Sequence, residues 1–290
     1  MLSVCLCLGT AFLNLMHISV NFSALLAFVS GHGFISKPPA RNAAANSKNH
    51  WTPQAGNSAG VADRIKDKGA SFPDNYVGAN QTHGLCGDPW EGGVSILPSP
   101  RLQPHMQQGA PTTIYRKGEN IEIEIEVTAH HWGHFEFRIC KGGLNGDKFS
   151  TQIDGQKCLN ENLLLRPSPD DREECKNAKR IDASNYDCQP IDTNHPERWY
   201  LPPQSFGSDG MMNYKMLFKL PDDLTCDVCT IQWNWITGNS CLVDGYKEYF
   251  IKFSKYFEGT PWDESKSPLS PCGSDTIGEQ FWNCADVAIH

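Results

Sequence analysis

Charge is missing from the start of this chain: between Leu2 and Gly31 there is no Lys, Arg, Asp or Glu. A run of that length could pass for a membrane span. Its position at the extreme N-terminus, and the small Gly31 two residues after Val29, fit a secretory signal peptide better, although the n-region lacks the usual positive charge. We therefore read residues 1–31 as a signal peptide and 32–290 as one mature, secreted, extracellular domain. The leader carries no charge, so the formal net charge of −8 stays with the mature chain. That excludes nucleic acid and an anionic membrane surface as partners. Internal repeats, a long linker and any sustained period of 3.6 are also absent.

Cleavage removes Cys5 and Cys7 and leaves Cys86, Cys140, Cys158, Cys175, Cys188, Cys226, Cys229, Cys241, Cys272 and Cys284. An even set in an exported chain predicts disulfides, with connectivity that a sequence does not reveal. Cys226 and Cys229 have the spacing of half a zinc site, but no clean second Cys-x-x-Cys accompanies them, and an oxidising compartment favours disulfides. The charged, proline-rich stretch 164–203 is predicted to be a loop-dominated insertion pinned by Cys175 and Cys188. Asn80, in Asn80-Gln81-Thr82, is a candidate glycosylation site.

What the chain does have is period two. Ile121, Ile123, Ile125 and Val127 alternate with Glu122, Glu124 and Glu126, which makes a strand with one buried face. Further alternating sets run through Phe135, Phe137 and Ile139, through Tyr214, Met216, Phe218 and Leu220, and through Ile231, Trp233 and Trp235. "QFWNCADVAI" closes the chain with another. Short strands, disulfides and Pro/Gly-rich connections together predict an all-β, immunoglobulin/fibronectin-like β-sandwich with long loops.

Ten histidines occur, and His17 falls in the leader. Taken singly, a histidine is more often a surface or hydrogen-bonded residue than a ligand. His32 differs, because cleavage gives it a free α-amine beside its imidazole. An α-amine with a pKa near 8 can lose its proton to a metal at neutral pH. The amine and the ring nitrogen can then chelate one ion, and one more imidazole completes a nitrogen-only tetragonal set, which suits Cu(II) and, second, Ni(II). His130, His131 and His134 in "AHHWGHF" are candidates for that third nitrogen. Spacing alone leaves the choice among them open, along with an exposed polar corner that binds nothing.

Together, five segments resemble the lytic polysaccharide monooxygenases, whose domain is also called the chitin-binding type-4 domain. They are "HGFISKPPAR", "THGLCGDPW", "TAHHWGHFEF", "CDVCTIQWNW" and "EQFWNCADVAI", in that order. The similarity is greatest to the branch of insect-type enzymes and viral fusolins. It implies one copper ion per chain held by His32 and His131, with the non-ligating Phe281 at the axial position. It also implies Glu279 near the oxygen species and the small Ala129 leaving room beside the metal. The activity implied is oxidative cleavage of crystalline chitin or cellulose at C1 or C4 by a monomer, using an external electron donor and hydrogen peroxide or oxygen. The chain departs from the pattern at His83, where relatives often have a cysteine, and at His134, usually a tyrosine. It departs again in the long, charged insertion 242–271. A competing expectation is a non-catalytic chitin- or cellulose-binding module that stacks sugars on Trp51 or Trp90. Reductant-dependent peroxide chemistry on bound copper separates the two.

Overall fold

The computed structural model describes residues 33–44, 85–87, 107–145, 152–207, 212–273 and 278–290. The leader, His32, Trp51, Asn80, His83 and Trp90 lie outside the described residues. Among the described residues, eight strands form two sheets. The smaller sheet has the antiparallel order β1 (Gly33–Lys37), β3 (Asn120–Val127), β6 (Asn213–Lys219). The larger has the order β2 (Thr113–Tyr115), β8 (Gln280–Ile289), β7 (Cys226–Ile236), β4 (His134–Lys141), β5 (Trp199–Tyr200). In it β2 runs parallel to β8, and the other pairs are antiparallel. This is the immunoglobulin-like sandwich expected from the alternating runs, with no described helix long and apolar enough to cross a membrane.

The core lies between the sheets. Ile121, Ile123, Ile125 and Val127 of β3 face Phe135 and Phe137 of β4, Trp233 and Trp235 of β7, and Phe281 and Val287 of β8 in one buried cluster. A direct tie crosses the sandwich where the Ile35 amide donates to Asn283 Oδ1 at 3.0 Å.

The outer faces differ. Glu122, Glu124 and Glu126 are only partly buried, as a single dry face requires. On the larger sheet the alternate residues Glu136, Arg138, Gln232, Asn234 and Asp286 are buried as well. A helix α1 (Gln152–Asn160) covers part of that face, and Gln156 and Gln232 exchange reciprocal amide hydrogen bonds beneath it. Arg41 covers another part through a two-bond pair to Asp286 at 2.9 and 2.8 Å.

All ten cysteines among the described residues are paired: Cys86–Cys284, Cys140–Cys158, Cys175–Cys188, Cys226–Cys229 and Cys241–Cys272. The segment 164–203 is pinned as expected, but it also contributes β5 to the larger sheet. The insertion is not simply charged surface. It forms α2 (Tyr246–Lys252) and α3 (Ser254–Phe257), whose buried side chains Tyr246, Tyr249, Phe250 and Phe257 make a second core with Tyr200, Phe206 and Trp262. A helical period was present in Tyr246, Tyr249, Phe250, Phe253 and Phe257, but over a run too short to stand out among the flanking charges.

Candidate metal centre

Antiparallel registers bring several strand ends to one end of the sandwich. Gly33 pairs with Val127, His134 with Ile236, and Ile236 with Gln280. The connections Thr128–Gly133 and Thr237–Asn239, together with Glu279, therefore converge. Gly33 is packed tightly there, since a Cβ on it would lie 3.0 Å from the Glu126 carbonyl oxygen and 3.3 Å from the Trp233 ring.

The connection carrying His130 and His131, which ends at His134 of β4, has to cross from one sheet to the other. Two left-handed residues do this: Trp132 (φ 54°) and Gly133 (φ 86°). A Cβ on Gly133 would come within 1.9 Å of the Ile236 carbonyl oxygen, so only glycine fits. Trp132 is the one non-glycine of positive φ among the described residues, a conformation costing about 1–2 kcal/mol. It is held at both ends. Its amide donates to His130 Nδ1 at 3.3 Å, and its carbonyl accepts from Trp235 Nε1 at 2.7 Å.

Hydrogen bonds distinguish the three histidines. His130 is committed on both nitrogens, because Nε2 also donates to the Pro202 carbonyl at 2.7 Å. Burial lowers its pKa to about 4, so it is neutral at pH 7. His134 is fully buried and donates from Nε2 to Glu136 at 3.1 Å. Burial, then the Arg198 charge, lowers its pKa to about 4. Burial alone would raise the Glu136 carboxyl, but the Arg138 guanidinium and the His134 hydrogen bond hold it well below the usual carboxylate range.

His131 differs from both. Its Nδ1–H donates to the His130 carbonyl at 2.9 Å, and in a neutral ring so oriented the lone pair is on Nε2. The side chain is 23% exposed, and Nε2 lies 3.6 Å from Glu279 Oε2. Orientation of the ring through a backbone carbonyl is the usual arrangement of a metal-ligating imidazole. The ring stacks on Trp235 with centroids 5.9 Å apart, and Phe281, buried against Trp235, lies 6.5 Å away. Ala129 is half-buried in the same connection.

Glu279, two residues before Phe281, sits just ahead of β8. Its carbonyl accepts from the Thr237 amide (3.1 Å) and hydroxyl (2.9 Å), and its Oε2 accepts from Asn239 Nδ2 at 3.4 Å. The His131 carbonyl accepts from the Gly238 amide at 2.9 Å. The Thr237–Asn239 turn is therefore the hinge between the two sides of the site. Sequence reasoning passed over it, although Thr-Gly-Asn after a strand is a turn signal. Four of the five singled-out residues, Ala129, His131, Glu279 and Phe281, come together at this end. His32 lies outside the described residues, among which no cluster of three or more His, Cys, Asp or Glu side chains could hold a metal.

A family model described as lytic polysaccharide mono-oxygenase, cellulose-degrading, matches residues 32–287. The chain is similar to the lytic polysaccharide monooxygenase AA15 from Thermobia domestica in the Cu(I) state, with a TM-score of 0.50 and 21% identity over 89% of this chain and 98% of that one. That likeness shows the fold. A cellulose-active monooxygenase of this kind in complex with copper has a TM-score of 0.39 at 14% identity, covering 89% of this chain and 98% of its own. One important for chitin utilisation in Cellvibrio japonicus has a TM-score of 0.38 at 14% identity, covering 89% and 99%. No curated protein matches the chain.

Proposed function

The chain belongs to the lytic polysaccharide monooxygenases, copper-dependent enzymes that oxidise polysaccharides, and from that premise we propose which residues carry the chemistry and on what substrate. Proteins of this family are typically secreted, and we assign residues 1–31 as the signal peptide whose removal exposes His32 as the N-terminus of a single domain, 32–290. His32, through its amine and imidazole, and His131 Nε2 hold the one copper ion. The bound ion supplies one-electron redox chemistry that, with an external reductant and hydrogen peroxide or oxygen, oxidises a sugar C–H bond. The substrate is crystalline chitin or cellulose, attacked at C1 or C4 by a monomer.

The observation that carries the reading is the tautomer of His131. Nδ1 is tied to a carbonyl, and Nε2 is turned to the half-exposed side beside Glu279. Phe281 offers no donor next to that ring, so it bounds the site without ligating. Glu279 Oε2, steadied by Asn239, is placed to accept or return a proton near the reacting sugar. Ala129 keeps the approach open by its small size.

A matched pair of proteins beginning at Gly31 and at His32 tests the ligand set. An internal histidine presents an amide nitrogen in place of an amine. The longer protein should melt at the same temperature, yet bind copper weakly and release almost no oxidised oligosaccharide. His131→Ala should weaken copper binding by more than about 100-fold, beyond the usual effect of an outer-shell change. Equal copper affinity and product in the Gly31 and His32 proteins would refute the amine-and-imidazole ligand set, and no oxidised product from either would return the chain to the binding-module class. Mass spectrometry of products from chitin and from cellulose identifies the substrate and the oxidised carbon.

A further inference from the structure

We propose that Tyr246, supplied by the helical insertion closed by Cys241–Cys272, is a positioning residue for the metal-binding connection. Its role is to accept the Gly133 amide and so hold His131 in place. The inference rests on His131 being a copper ligand, as proposed above.

The Gly133 N–H donates to Tyr246 Oη at 3.3 Å, a buried bond between residues 113 apart in sequence. Gly133 has little freedom to seek another acceptor. Its left-handed backbone is wedged against the Ile236 carbonyl and Thr237, and its own carbonyl accepts from the Leu201 amide at 2.9 Å. Losing the Tyr246 oxygen would leave a buried amide without a partner, the costly case for a hydrogen bond. The neighbours of that amide are the strained Trp132 and then His131.

The insertion is built to keep the hydroxyl still. The Tyr246 ring is buried, with Tyr200 and Phe250 at centroid distances of 5.5 and 5.3 Å. The turn before it is fixed where Arg198 Nη1 donates to the Asp244 carbonyl at 2.7 Å. The neck is closed by the Cys241–Cys272 disulfide and by hydrogen bonds from Leu242 to Ser270 and from Cys272 to Leu242. This neck follows directly on the Thr237–Asn239 turn, whose Gly238 amide holds the His131 carbonyl. The His131 connection is thus gripped from both ends of one lobe.

Tyr249 on the same helix supplies the control. It is equally buried and donates its own hydroxyl hydrogen bond, to the Pro190 carbonyl at 2.9 Å, but it makes no hydrogen bond to the 128–133 connection. Tyr246→Phe and Tyr249→Phe should lower the melting temperature by similar amounts. Only Tyr246→Phe should alter the Cu(II) electron paramagnetic resonance spectrum and weaken copper binding, by about tenfold. Unchanged copper affinity and spectrum in Tyr246→Phe, or equal changes in Tyr249→Phe, would overturn the proposal. Amide exchange in the metal-free parent protein needs no variant to fold. The Gly133 amide should exchange as slowly as those of β4, and fast exchange there would also overturn it. Absence of copper binding by the parent would fail the ligand reading instead, leaving the exchange result to stand by itself.

Discussion

Glu122 and Asp286 are both carboxylates on outer faces of the same sandwich, and each pairs with a cation. Glu122 reaches Lys37 at 2.7 Å with side chains 41% and 51% exposed. Asp286 reaches Arg41 at 2.8 Å with both side chains 3% exposed, and it also accepts from Thr230 and the Gly109 amide. On the smaller sheet the outward polar residues are solvated. On the larger they fasten Arg41, the Leu85–Cys86 turn and α1 over the strands. Polarity in a strand therefore does not mark its wet face. It marks a face that is either wet or roofed by other polar groups.

The sharpest way to break that contrast is Asp286→Ala. It strands a buried guanidinium and should cost about 3–5 kcal/mol in urea unfolding. A loss below 1 kcal/mol would mean that the larger sheet's outer face is wet after all.

Next in size is the pH response of His134, which faces Glu136, Arg198 and His195 on the same roofed side. Its folded pKa of about 4 lies below the unfolded value near 6.5. The unfolded chain therefore takes up the proton first as the pH falls. His134's contribution is complete above pH 6.5 and is lost down to about pH 4, on the order of 3 kcal/mol in all. Urea midpoints of the metal-free protein across that window should fall, and His134→Gln should reduce the fall by about half, because His130, lowered likewise to about 4, supplies a second contribution of the same sign. The Glu136 carboxyl, held below its ordinary value, adds a loss of the same sign only at the acid end of this window. A parent midpoint constant from pH 4 to 6.5 would contradict the assignment.

The smallest effect belongs to the wet face. Glu122→Ala should change stability by no more than about 1 kcal/mol, and the difference should vanish at high salt. A cost like that of Asp286→Ala would erase the distinction between the sheets.

The same distinction explains how much could be read beforehand. The alternation in β3 was legible, because one face of that strand does meet water. β7 carries the same alternation in Ile231, Trp233 and Trp235, yet Gln232 and Asn234 between them are buried. Nothing local announces the groups that roof them. At the end of the sandwich where the 128–133 connection lies, the family likeness singled out His131, Glu279 and Phe281, and the three do lie together. Asn239 and Tyr246 escaped notice because the hydrogen bonds that bring them to this end run to partners 40 and 113 residues away.

By itself the sequence determined whatever depends on neighbours along the chain. That includes the strand period, the even cysteine set, the uncharged N-terminal stretch and the histidine cluster around Gly133. The tertiary structure alone decided which cysteines pair, which sheet has two buried faces, and which histidine has a ring nitrogen committed to a partner far along the chain. His130 is closed to a ligand by the carbonyl of Pro202, 72 residues on, and His134 by burial beside Glu136 and Arg198. A lone pair's availability depends on what lies within about 3 Å of it in space, and only folding brings those atoms there.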